Sequence, residues 1–199
     1  MLQHGVEPVI YYYNPNIWPR EEYETRKNES KRHAESLGIQ WMDDDELRMT
    51  DYELRHQSWR TAVAGLEGEP ERGRRCEACF YHRLRATARK AQELGIPFFA
   101  TTLASSRWKD LEQINKAGLT AERYISASGL TSNREAVPPR FWPQNWRKDG
   151  LQERRNELLK TYGFYNQTYC GCEYSLSSRT QRCSTEPADA GAAGQTGEA

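Results

Sequence analysis

Apolar and polar positions change period several times along the chain, and each change marks an element. Val9 to Tyr13, within "VEPVIYYYNPNIWP", is β-branched and aromatic and is stopped by Asn14-Pro15. That pattern predicts a buried strand running into a loop. Glu21 to Leu37 is charged and helix-prone up to a stop at Gly38. "IQWMDDDE" predicts a brief second strand ending in an acidic loop. From Tyr52 to Leu66, the residues Leu54, Trp59, Ala62, Val63 and Leu66 recur at helical spacing, and "GEPERGRR" breaks the helix. "CEACFYHRLRATARKAQELGI" restarts it. Phe80, Leu84, Thr87, Ala88, Ala91 and Leu94 form one stripe there, ended by Gly95. "PFFATTL" reads as a strand, "SSRWKD" as a loop opening a helix from Leu111 to Lys116, and "TAERYI" carries no assignable period. "FWPQNWRKDG" reads as a loop, and Leu151 to Tyr162 as a helix ahead of "YNQTYCGCEYS".

Strands alternating with helices predict an α/β layered fold without internal repeats. Residues 1–183 form one expected domain. From Ser184, "STEPADAGAAGQTGEA" has almost nothing to bury and is expected to be disordered. A chain of 199 residues suits a single domain with a real core, though only 37% of its residues are hydrophobic. The 28 Lys+Arg balance the 28 Asp+Glu, so no global positive field calls for nucleic acid, and only a local basic patch is left open. No apolar run approaches the roughly 20 residues of a membrane span. "MLQHGVEPVI" lacks the basic start and apolar stretch of a signal peptide. A cytoplasmic protein with no membrane contact is expected.

Cysteine usage sharpens this. Four of the five cysteines come as close pairs, Cys76/Cys79 and Cys170/Cys172, and Cys183 stands alone and reads as incidental. In a reducing compartment such pairs point to metal or redox sites rather than structural staples. Cys76 and Cys79 fall at a helix start, one turn apart on one face. The free N–H groups and positive dipole end there, with Arg74 and Arg75 nearby, favour thiolates suited to a soft metal or an iron–sulfur cluster. The plainer alternative is two small core residues on an amphipathic helix. Cys170-Gly171-Cys172 turns on its glycine. The pair either chelates one metal or closes a strained, easily reduced disulfide. Four thiolates together also match a closed zinc site.

Two basic-aromatic loops add candidate binding residues. Ser105, Ser106, Arg107, Trp108 and Lys109 lie between a strand and a helix, where α/β folds bind anions. Phe141, Trp142 and Trp146 beside Arg147 and Lys148 give the mixture of stacking and charge used on RNA loops. For either segment alone a solvated charged loop is the plainer reading. His4, His33, His56 and His82 have no ligand-like spacing and read as surface or core residues.

Four blocks in order, "YYYNPNIWPREEY", "GLEGEPERGRRCEACFYHRL", "FFATTLASSRWK" and "YGFYNQTYCGCEYS", resemble the QueH-type epoxyqueuosine reductases from about Val9 to Ser175. The resemblance implies a Rossmann-like three-layer parallel sheet with a [4Fe-4S] cluster. It implies removal of the epoxide oxygen of epoxyqueuosine in tRNA, the last step of queuosine synthesis at the wobble position, fed by an electron donor. Cys76 and Cys79 are then two cluster ligands. Cys170 and Cys172 form the catalytic second pair, binding a second iron or acting as a redox-active disulfide. Ser106 and Lys109 are expected on the modified nucleoside or a phosphate, and Arg147 and Lys148 on the tRNA backbone. The contrasting class is a non-catalytic zinc- or RNA-binding remnant. Two departures stand out. The family opens with a central strand and an adjacent Cys-Cys that supplies the other two ligands. No cysteine precedes Val9 here, so the sheet is expected to lack its first strand and the chain to be incomplete as an enzyme. Where the family has Ser-Pro, this chain has Ser106-Arg107.

Overall fold

A computed structural model describes residues 5–43, 51–128 and 137–176. The acidic loop beyond Asp43, His4, Cys183 and the tail from Ser184 lie outside the described residues. The chain is α/β, dominated by helix, with two small parallel strand pairs. Strand β1 (Val9–Tyr11) leads to helix α1 (Arg20–Ser36) and returns as β2 (Gln40–Met42), with Ile10 opposite Trp41. Helices α2 (Asp51–Ala62) and α3 (Arg74–Glu93) follow, then β3 (Phe98–Phe99) and α4 (Leu111–Ser128). Strand β4 (Arg140–Phe141) pairs in parallel with β3, and α5 (Leu151–Tyr162) precedes the CGC segment.

The main core lies between α3 and α4 and under β3 and β4. Phe80, Leu84, Ala88 and Ala91 pack against Ile114, Ala117, Ala121 and Ile125, with Phe99 and Phe141 closing one side. Gly118 makes this packing possible, because a Cβ there would run into the Phe141 ring. A second cluster joins Tyr12, Ile17, Tyr23 and Tyr52, and a third joins Trp59 and Val63 to Cys79 and Cys172.

Several elements differ from the sequence expectation. β1 is half-buried rather than buried. "PFFATTL" gives only two strand residues before a 3₁₀ turn over Thr102–Ser105, where the Thr101 hydroxyl accepts the Leu103 N–H. "TAERYI" continues α4, and "FWPQNWRKDG" follows directly from a strand that ends at Phe141. Leu54 and Leu94 are exposed. The inward stripe of α2 is Tyr52, His56 and Trp59 instead, continued by Val63 just past its end. Parallel pairing in both sheets agrees with helical crossovers between strands.

Candidate functional site

The CGC segment is held by a buried arginine of α1. The Arg26 guanidinium donates to the Tyr169 carbonyl at 3.2 Å, the Cys170 carbonyl at 3.3 Å and the Gln167 side chain at 3.0 Å. Its Nε bonds Glu22 at 2.7 Å, so the charge is paired inside the fold. On the other side, the Trp18 N–H donates to the Gly171 carbonyl at 2.8 Å, and the Tyr169 hydroxyl donates to the Trp18 carbonyl. Gly171 adopts φ +112°, and a Cβ would come within 2.9 Å of Arg26 and 3.1 Å of Ile17. After Cys172 the chain turns helical, and the Ser175 hydroxyl donates to the Cys172 carbonyl at 2.9 Å.

The loop expected to bind anions meets this segment. Lys109 Nζ donates to Cys170 Sγ at 3.4 Å. The loop is pinned by Arg72, which donates to the Trp108 carbonyl at 2.9 Å and the Arg107 carbonyl at 3.1 Å. Gln113 of α4 donates back to the Arg72 carbonyl at 2.6 Å. Asp110 Oδ1 accepts the N–H groups of Glu112 and Gln113 and so caps α4, leaving Lys109 just before the helix.

These contacts set the chemistry of the two pairs apart. The Cys172 thiol, donating to the Cys170 sulfur, holds Cys170 well below the usual thiol range, and the Lys109 ammonium adds to this against the effect of burial. Cys172 is pushed up, first because its proton is shared with Cys170 and then by burial. The proton of the reduced pair is therefore held in preference by Cys172, with Lys109 beside Cys170. At the start of α3 the balance is reversed. Burial pushes the Cys76 and Cys79 thiols up, which overturns the expectation that the helix start favours thiolates there. Arg75 does not help them. It is buried, donating to the carbonyls of Glu67 and Glu69 with its guanidinium over the Tyr174 ring.

Both α3 sulfurs nonetheless face N–H donors. The Arg72 backbone N–H donates to Cys76 Sγ at 3.3 Å. The indole N–H of Trp59 is fully buried without a hydrogen-bond partner and lies near enough to Cys79 to oppose the rise of its pKa. Buried thiols with N–H groups aimed at sulfur ionise when a cation arrives, which fits a soft metal or an iron–sulfur cluster. The fit extends to two ligands. Among the described residues, no group of three or more His, Cys, Asp or Glu side chains is gathered closely enough to hold a metal ion.

A cleft of about 2000 Å³ opens onto these groups. Cys76, Cys170, Ser106 and Lys109 line it together, and Trp142 and Trp146 form part of its wall. Trp146 is fixed by its indole bond to the Thr101 carbonyl at 2.9 Å. Arg147 and Lys148 follow it in the next turn, half-buried and exposed respectively, outside the cleft lining. β1 and β3 border the same cleft. Among the described residues, no helix is long and apolar enough to cross a membrane.

Sequence reasoning missed Arg26 and Arg72. Arg26 leaves a faint signal, a charge three residues after Tyr23 on the inward face of α1. Arg72 leaves none, since its role follows from a positive φ of 66° at a non-glycine residue. Of the histidines without ligand-like spacing, His56 and His82 are both buried. His56 bonds the Pro15 carbonyl at 2.8 Å and His82 the Tyr13 hydroxyl at 3.2 Å.

An α/β chain that lines one cleft with Cys76 and Cys170, one from each close cysteine pair, and with Lys109 has the side chains that thiol redox or soft-metal chemistry uses. The family model for epoxyqueuosine reductase QueH matches residues 1–178, and the chain belongs to that family. It is 42% identical over 177 residues to the epoxyqueuosine reductase QueH of Haemophilus influenzae, covering 88% of this chain and 64% of the relative. It is 43% identical over 173 residues to that of Histophilus somni, covering 86% and 63%. With that of Acinetobacter baylyi it shares 39% identity, covering 88% and 72%. The chain thus spans less than two thirds of the first two relatives.

Proposed function

We propose that this chain carries the reductase chemistry of its family, removing the epoxide oxygen of epoxyqueuosine in tRNA to give queuosine in the cytoplasm. The observation that carries this reading is the contact of Lys109 with Cys170, the partner of Cys172, at the wall of a large cleft. Replacing an epoxide by an alkene takes two electrons and two protons. Both carbon–oxygen bonds break, a carbon–carbon double bond forms and water leaves. The two sulfurs supply both electrons and join as a disulfide. The Cys172 thiol gives one proton and the Lys109 ammonium the other. A thiol or low-potential protein donor then returns the disulfide to the dithiol.

Cys76 and Cys79 are two ligands of a [4Fe-4S] cluster in this reading, and the remaining thiolates come from outside α3. When bound, that cluster supplies one-electron transfers. The same reading makes the two strand pairs parts of one Rossmann-like three-layer fold. The cleft bordered by β1 and β3 supports this. Ser106 binds the nucleoside, and Arg147 and Lys148 meet the tRNA backbone beside it.

Anaerobic purification with metal analysis, followed by assay on epoxyqueuosine-containing tRNA, tests the reading. Cys170→Ser and Cys172→Ser abolish queuosine formation and retain iron. Cys76→Ser and Cys79→Ser lose the iron. Colourless protein with stoichiometric zinc, or loss of iron on substitution at Cys170 or Cys172, contradicts it. Arg147→Gln and Lys148→Gln each flatten the salt dependence of tRNA binding by about 0.7–0.9 in log–log slope for each phosphate that is no longer neutralised.

A further inference from the structure

Trp108 is 67% exposed, an unusual position for the side chain with the largest apolar surface. It lies on the cleft lining next to Lys109, whose ammonium bonds Cys170 Sγ. Its own ring contributes nothing to the core, yet its backbone is firmly held. Arg72 binds the carbonyls of both Arg107 and Trp108, and Arg72 is in turn held by Gln113. The Arg107 guanidinium stands 4.8 Å from the ring centroid and covers one face. With the residue 67% exposed, much of the ring is left open to a ligand. A rigid, exposed indole backed by a cation is a platform for a flat π-system.

We propose that Trp108 is a stacking platform for an unpaired nucleobase next to the nucleoside that reacts at Cys170. The inference rests on the tRNA substrate proposed above and assigns a binding residue to it. The ligand is an unstacked base of a single-stranded loop, because only such bases offer a free face to an aromatic side chain. Arg107 and the exposed Arg72 and Arg74 supply positive charge for the flanking phosphates.

The test is binding of a fluorescently labelled anticodon stem–loop RNA to the full chain, unsubstituted and with Trp108→Ala, Trp108→Phe or Trp108→Tyr. Loss of one base stack weakens binding of Trp108→Ala by roughly 5- to 150-fold, while the aromatic variants stay near the unsubstituted value. Removing the loop bases one at a time, as abasic nucleotides, identifies the partner. One abasic position weakens binding to the unsubstituted chain and causes no further loss with Trp108→Ala. RNA binding should also quench a fraction of tryptophan emission that is absent in Trp108→Ala. Equal affinity for the unsubstituted chain and Trp108→Ala overturns the platform and leaves the tRNA reading standing. Additive losses at every abasic position overturn it as well. Failure of the unsubstituted chain to bind the RNA at all overturns both.

Discussion

Gly171→Ala is the smallest change that should disable the site, and its cost follows from three contributions. A non-glycine residue at φ +112° carries backbone strain of about 1–3 kcal/mol. The new methyl would meet Arg26 Nη1 at 2.9 Å and Ile17 at 3.1 Å. Arg26 cannot swing aside cheaply, because it is buried and bonded to Glu22, Gln167, Tyr169 and Cys170. Displacing one such charged hydrogen bond costs about 1.5–3 kcal/mol. Alanine returns about 0.4–1 kcal/mol by restricting the unfolded chain. The net loss is about 2–5 kcal/mol. Urea unfolding of the two proteins measures it through the shift in midpoint at constant slope. Arg26→Met provides the control: with the guanidinium gone, Gly171→Ala should cost less than it does alone, because the clash with Arg26 and the loss of its hydrogen bond have disappeared. A loss under about 0.5 kcal/mol, or full additivity with Arg26→Met, refutes the picture of a glycine clamped by arginine.

Other outcomes follow from single contacts. Lys109→Met removes the cation beside Cys170, so the thiol pKa should rise and alkylation of Cys170 at neutral pH should slow; an unchanged pH profile, read by mass mapping, contradicts this. Gly118→Ala drives a methyl into the Phe141 ring and should destabilise the fold by about 1–3 kcal/mol in the same unfolding assay, whereas a stabilised variant would show that α4 and β4 are further apart. Burial, helped by Arg85 and Arg83, lowers the His82 pKa from 6.5 to about 4. The unfolded chain therefore takes up a proton that the folded chain refuses, and stability should fall by about 2–3 kcal/mol as pH drops from 6.5 toward 4. His82→Gln should flatten that part of the pH–stability curve.

The helices were the most legible part of the sequence. α5 spans Leu151–Tyr162 as read, because glycines in left-handed conformations bound it on both sides. The second half of α4 was obscured by Gly118, which has poor helix propensity and is tolerated because the Phe141 ring occupies the space its side chain would need. β4 has two residues, too few to show a period. The nearness of Lys109 to Cys170 depends on Arg72 and Gln113, whose bonds to the loop are tertiary. Spacing alone picked out the two pairs as candidates, but it did not show their opposite acidities. Those follow from burial at α3 and from a shared proton and an ammonium at the CGC turn.

In the proposed reaction, Cys170 and Cys172 hold the electron pair that reduces the epoxide, and a single turnover without added donor tests this most directly. Anaerobic, pre-reduced protein is mixed with excess epoxyqueuosine-containing RNA, then quenched with an alkylating agent, and queuosine and free thiols are counted by mass spectrometry. One queuosine per chain is expected, with a disulfide appearing between Cys170 and Cys172 in the same proportion. Queuosine formed while both thiols remain free and alkylatable, or no queuosine from a fully reduced pair, contradicts it.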